Sequence, residues 1–245
     1  MKALKEAPFP HSQIPHLDFT VYRIPFFLEP DYPVDEHFFE SNRERLHRKW
    51  GGREQFAAQK RRHRLKERGI EAGLSSDAFN LDRTASSTVV SHRLVQWISH
   101  VYGFDASERF YDRLNQFHFT EGRKLNDRQA LLGLAIDEGF DAAATEAFLS
   151  SNAGEAEVLR TFKAVQQLGI HGIPTFVIDG GREVLSGAVR AEELERVFRD
   201  IEAEAVIEKE NQADQDRPPE HKLSPSPVFA HLLSMKGERK QQLVE

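Results

Sequence analysis

Few residues here could do covalent chemistry, and one type is missing outright. The 245-residue chain contains no cysteine, so it offers no thiolate nucleophile, no disulfide and no thiolate metal ligand. It has eleven histidines, none spaced with carboxylates in a way that suggests zinc. Ser12, Ser86 and Ser87 lack the strand–turn–helix setting of a nucleophile elbow. Gly169-x-x-Gly172 is not a phosphate-cradling loop. What remains is a main-chain feature, Gly172-Ile173-Pro174-Thr175, where glycine and proline precede a β-rich run. Such a stretch suggests backbone held in an unusual conformation, although on residue type alone only about 5–6% of X–Pro bonds are cis. Ser87, Thr88 and His92 form a lesser candidate set. Capping explains the hydroxyls and packing explains the imidazole more simply than catalysis does.

The elements around these residues follow from periodicity. Leu17–Ile24 (LDFTVYRI) is a strand candidate, rich in β-branched and aromatic residues. Thr175–Ile178 and Glu183–Ser186 flank Asp179-Gly180-Gly181 and read as a hairpin. Pro174 stands at the first position of its strand, where a missing N–H is tolerated. Between the first strand and the hairpin the patterns are helical. Residues 36–68 break at Gly51-Gly52. Thr84–Tyr102 places Val90, Leu94, Trp97, Ile98 and Val101 on one stripe. Helical patterns follow at 108–119, 127–138, 142–149 and 155–168, and a last helix at 191–201. Beyond 202 the chain turns acidic and then proline-rich, which reads as a disordered tail over 202–245. Met1–Ala7 is a helical scrap, and Val228–Met235 suggests a terminal helical turn or two.

Gly-Ile-His-Gly-Ile-Pro-Thr-Phe-Val-Ile (169–178) with Leu-Ser-Gly-Ala (185–188) resembles the C-terminal signature of the DsbA-like thioredoxin-fold family, FrnE type, which is related to kappa-class glutathione transferases and 2-hydroxychromene-2-carboxylate isomerases. Ser91-His92-Arg93-Leu94 and the segment Arg23 to Pro33 are similar to further family motifs. The resemblance implies an α/β thioredoxin-like domain over 1–201 with a large helical insertion at about 36–168. It also implies a cis bond at Pro174 and a groove in which the Ile173 backbone pairs with an extended peptide. Gly172, Ile173, Pro174 and Thr175 would be the substrate-binding residues. The family's first strand and Cys-x-x-Cys have no counterpart in this sequence, so the reading has no catalytic residue. The chain is then expected to be a redox-inactive, truncated or degenerate member of the thiol–disulfide oxidoreductase family, with a peptide- or glutathione-binding module using the cis-proline groove as the alternative. No cofactor is expected, with glutathione or another small thiol as an alternative ligand for the same groove.

Composition narrows the remaining classes. The formal net charge of −6 argues against a general nucleic-acid binder. Residues 43–68 hold eleven basic against three acidic side chains, without aromatic interleaving for base stacking, and read as a solvated helix face. No run approaches the ~18 apolar residues of a membrane span. No apolar stretch near the start resembles a secretory signal, so the expectation is a cytoplasmic protein.

Overall fold

The computed structural model describes residues 17, 19, 21–71, 73, 75 and 82–213. The expected scrap at Met1–Ala7, the helical turn at Val228–Met235 and the disordered stretch past 213 lie outside the described residues. The chain forms two units, one of residues 25–163 and one of residues 1–24 with 164–245.

The first unit is helical because its apolar residues recur at helical spacing. A two-residue strand β1 (Glu40–Ser41) leads into α1 (Asn42–Lys49) and α2 (Arg53–His63). Gly51 and Gly52, at φ 79° and 112°, make the expected break between the two helices. A further break comes at Arg64, a non-glycine residue at φ 47°, before α3 (Leu65–Glu71). β2 (Thr84–Ala85) pairs antiparallel with β1, and α4 (Val89–Tyr102) follows. The helix expected from Thr84 therefore starts five residues later. The backbone before it is engaged elsewhere: Thr84 N–H donates to the Gly122 carbonyl at 3.0 Å, and the Arg83 carbonyl accepts from Asn42 at 3.1 Å.

Next come α5 (Phe104–Asn115), a π-helical turn at Gln116–Thr120, α6 (Arg128–Asp137), α7 (Ala142–Ser150) and α8 (Glu155–Gln167). Asp127 and Asp141 cap α6 and α7, accepting from Ala130 and Ala144 at 3.0 and 2.7 Å. The core gathers Val90, Leu94 and Ile98 of α4, Phe110 of α5 and Leu131 of α6, all fully buried. The α4 stripe ends sooner than its periodicity suggests: Val101 is 51% exposed. A second cluster joins Phe27, Val89, Val158 and Phe162, with the Phe27 and Phe162 rings edge-on at 4.9 Å. The prolines around Phe26-Phe27 thus present aromatic rings to a core.

The basic stretch divides into two sets. Arg43, Arg45, Arg48 and Lys49 of α1 pair with Asp82, Glu29 and Glu40. Burial alone would raise the Glu29 carboxyl, but Lys49 and Arg45 hold it below its ordinary value. The basic residues of α2 and α3 are exposed.

The second unit contains β3 (Thr175–Ile178), β4 (Glu183–Ser186) and α9 (Ala191–Ala213). Its hairpin is antiparallel, with Thr175 opposite Ser186 and Ile178 opposite Glu183. Asp179, Gly180 and Gly181 all take positive φ in the turn. The strand expected at Leu17–Ile24 is not formed: its described residues carry no strand. A strand exists only through a ladder partner, and among the described residues β3 pairs with β4 alone. Phe19 packs edge-on against Phe198 of α9 at 4.9 Å. α9 runs twelve residues past the expected end at 201, so the boundary set at 202 falls inside a helix. Glu202 there is buried and pairs with Arg199 at 3.7 Å. No helix is long and apolar enough to cross a membrane among the described residues.

Candidate functional site

The approach to the hairpin is set by the end of α8. Gly169 N–H bonds back to the Gln166 carbonyl at 2.9 Å and Ile170 N–H to Val165 at 3.3 Å, with Gly169 at φ 78°. A left-handed glycine just past a helix is a standard stop signal. Residues 170–174 then run in the open: His171, Gly172, Ile173 and Pro174 are all exposed, with Ile173 at 50%. The Ile173–Pro174 peptide bond is cis. Thr175 fixes the bend by donating its Oγ1 hydroxyl to the Gly172 carbonyl at 2.8 Å, and that oxygen lies 3.4 Å from Ser186 Oγ.

The hairpin register decides which main-chain groups a ligand could use. Gly187 N–H donates to the Pro174 carbonyl at 2.9 Å, so Pro174 and Gly187 form a hydrogen-bonded pair. Antiparallel strands alternate hydrogen-bonded and non-hydrogen-bonded pairs. Phe176 and Ile178 therefore aim their N–H and C=O groups at β4, while Thr175 and Val177 aim theirs away from it. Among the described residues no strand pairs with that outer edge. The edge carries no charged side chain, bulge or internal proline, the usual devices that blunt a strand edge. It can accept an extended segment by main-chain hydrogen bonds alone. Sequence reasoning located Gly172 to Thr175 but not the outward backbone of Val177, because only the register reveals it.

Ser87, Thr88 and His92 lie in the other unit, at the start of α4. Ser87 is buried and its Oγ accepts from Val89 N–H at 3.4 Å. Thr88 is the N-cap residue without a capping bond from its own side chain, and its carbonyl accepts from Ser91 Oγ at 3.0 Å. Burial pushes the His92 imidazole down to about 4, against a backbone hydrogen bond at Phe26 that favours the charged form. Its ring lies edge-on to Phe27, 5.4 Å between centroids. Ser87 thus bonds the backbone at the start of α4, while His92 alone of the three meets the Phe26-Phe27 segment.

Arg93, beside His92, gave no signal in the sequence beyond its motif. It is 1% exposed. Its Nε and Nη2 donate to the Ala153 and Ser151 carbonyls at 2.8 and 2.7 Å, and its guanidinium sits 5.1 Å from the centre of the Phe148 ring. It terminates α7 by satisfying carbonyls just beyond the helix end. No group of three or more histidines, aspartates and glutamates among the described residues could hold a metal ion.

Residues 24–199 match the family described as DSBA-like thioredoxin domain. Among solved structures the chain is similar to a probable DsbA oxidoreductase from Streptomyces coelicolor, at 27% identity and a TM-score of 0.59, over 80% of this chain and 76% of that one. No curated protein matches the chain.

Proposed function

The chain belongs to the DSBA-like thioredoxin domain family, and from that membership we propose that these 245 residues act as a strand-binding module of the FrnE type, with no thiol exchange of their own. Disulfide exchange proceeds by thiolate attack through a mixed disulfide, and the chain contains no cysteine. A serine in that place would need an adjacent general base. The half-buried His92, held neutral by desolvation beside the Phe27 ring, is poorly placed to serve as one.

The observation that carries the reading is the uncovered outer edge of β3, with the exposed Ile173 immediately before it. Strand addition uses main-chain bonds for affinity and alternate side chains for selectivity. Both are on offer here, from the outward groups of Thr175 and Val177 and from the apolar Ile173. The FrnE assignment draws further support from Ser91-His92-Arg93-Leu94 and Leu185-Ser186-Gly187-Ala188.

The test is a fluorescence anisotropy titration with a labelled apolar decapeptide, run beside an insulin-reduction assay. Saturable peptide binding and reduction at the background rate are expected. Val177→Pro removes an outward N–H without touching the β3–β4 ladder, since proline is tolerated where the N–H faces solvent. It should weaken binding by about three- to tenfold, the loss of one hydrogen bond. Equal binding by Val177→Pro, or clear turnover of insulin by the chain, overturns the proposal. Glutathione in the same titration checks the small-thiol alternative.

A further inference from the structure

We propose that the exposed basic face of α2 and α3 binds single-stranded nucleic acid, its cations holding phosphates and the ring of His63 receiving a base. Every residue involved lies in the first unit, apart from the hairpin and its strand-binding reading.

The basic residues differ in their partners. Those of α1 meet Asp82, Glu29 and Glu40. Those of α2 and α3 have no acidic partner among the described residues. From Lys60 to Arg68 every residue is exposed, and Lys60 to Lys66 holds five Lys and Arg side chains and no acid. Only part of that charge serves the helices. Lys60, Arg61 and Arg62 occupy the last turn of α2, where the macrodipole favours positive charge. Arg64 and Lys66 stand at the start of α3, where the macrodipole disfavours it. Surfaces of soluble proteins ordinarily intersperse both signs. A block of one sign, in a chain of net charge −6, is the electrostatic footprint of an anionic partner.

The sequence shows no alternation of rings and cations here, but the fold assembles a stack beside them. The turn at Gly51-Gly52 brings α2 back to Trp50, whose ring stacks with Phe56 at 5.7 Å and 28° and with His63 at 6.1 Å and 20°. Phe56 is 7% exposed and anchors the stack, with His47 edge-on to it at 4.6 Å. His63 is the exposed end, and its Nε2 lies 3.1 Å from Gln59 Oε1, which holds the ring in place. A planar ring fixed at the surface accepts any unpaired base, because every base has a π-face. Arg53 and Lys60 are seven residues apart, as are Phe56 and His63, and Lys60 follows Phe56 by four. The two cations therefore border the ring row along one flank of α2.

Other anionic partners fit less well. A helix lying on a membrane needs a continuous apolar face. On α3 the exposed Leu65 and Ile70 are five residues apart, about 140° round the helix. On α2 the one large apolar residue, Phe56, is buried. An acidic protein segment matches the charge but leaves the His63 ring without a planar partner. The bases of a duplex are already stacked on one another, so only a single strand can use both the cations and the ring.

The test is a fluorescence anisotropy titration of the full chain against fluorescein-labelled oligo(dT) and oligo(rU) of about fifteen nucleotides, enough to cross a site of the usual size. Saturable binding to either supports the proposal, and the comparison tells DNA from RNA. With about five phosphate contacts, raising salt from about 50 to about 200 mM should weaken binding about a hundredfold. Lys60→Gln with Arg61→Gln and Arg62→Gln should reduce the salt slope by about 2. His63→Ala should weaken binding about tenfold and leave the slope unchanged, which a surface acting by charge alone would not show. All four residues are exposed, and an unchanged urea midpoint checks that each variant is folded. The proposal is overturned if neither oligonucleotide binds at about 50 mM salt, or if His63→Ala binds as tightly as the parent chain. Equal affinity for dextran sulfate, or preference for vesicles of phosphatidylglycerol and phosphatidylcholine, also overturns it.

Discussion

His92 was a candidate site residue, and the structure makes it a pH-sensitive packing group whose contribution can be calculated. Burial pushes its imidazole from 6.5 down to about 4. The unfolded chain therefore takes up a proton near pH 6.5 that the folded chain refuses until about pH 4. Folding stability is fully present above pH 6.5 and is lost as pH falls toward 4, because the unfolded state binds more protons throughout that window. At 1.36 kcal/mol per pH unit, the loss approaches about 3.4 kcal/mol for this one group, and about 2 kcal/mol of it has occurred by pH 5. Against a domain stability of about 5–15 kcal/mol that is large. Urea denaturation at pH 7.5, 6.5, 5.5 and 5.0 measures it, with His92→Gln as the partner variant, a side chain that keeps a donor and does not titrate. Carboxylates contribute mainly below this range, and the difference between the two proteins cancels what they share. The variant should be less stable at pH 7.5 through imperfect packing, yet lose about 2 kcal/mol less on going to pH 5. Parallel pH profiles for the two proteins would refute the reasoning and place His92 in contact with solvent or an acid.

His118, pushed by burial to about 4 as well, should behave the same way, and His118→Gln in the same urea series checks it. Arg93→Met keeps the aliphatic volume but leaves the Ala153 and Ser151 carbonyls without their donors, and should cost about 3 kcal/mol in chemical denaturation. Asn126, fully buried, donates to the Asp35 and Phe38 carbonyls at 2.8 and 2.9 Å. Asn126→Ala should lower stability by about 2–4 kcal/mol, read as a shift in the urea midpoint with unchanged slope. In the insulin-reduction assay the chain should remain at the background rate whether or not peptide is bound.

The helices were legible wherever an apolar stripe of three or more turns was present. Val90, Leu94 and Ile98 announced α4, and Val158, Phe162 and Val165 announced α8, since burial of such a stripe is what stabilises a helix in a fold. The hairpin was equally plain in Asp-Gly-Gly between two β-rich runs. What stayed hidden depended on partners distant in sequence. Leu17–Ile24 has strand composition, but composition supplies no ladder. Thr84 bound to Gly122 is a local choice made by a tertiary contact. The length of α9 was missed for the opposite reason. Glu, Ala and Lys beyond 201 are strong helix formers, and the helix continues on propensity after its apolar face has faded. At the site, residue types pointed to Gly172–Thr175, while the usable atoms, the outward N–H and C=O of Val177, follow only from the bond between Gly187 and Pro174.

The position of that edge also bears on how binding and stability are linked. The outward N–H and C=O groups of Thr175 and Val177, which no described strand pairs, carry little penalty where water satisfies them. Among the described residues the hairpin's anchors include the four-pair β3–β4 ladder, the Gly187–Pro174 bond and the tie from Arg182 to Glu204. Two-stranded hairpins are marginal in water, and binding segments are commonly drawn from elements of low local stability. A strand laid along β3 would add main-chain bonds where the hairpin is weakest, and a ligand present at a hundred times its dissociation constant stabilises its folded host by about 2.7 kcal/mol. Occupancy and order in this unit are therefore one equilibrium. An edge with thiols nearby could pass a bound strand on to exchange chemistry. In the reading proposed above, the same edge offers a bound strand only main-chain hydrogen bonds and apolar contact.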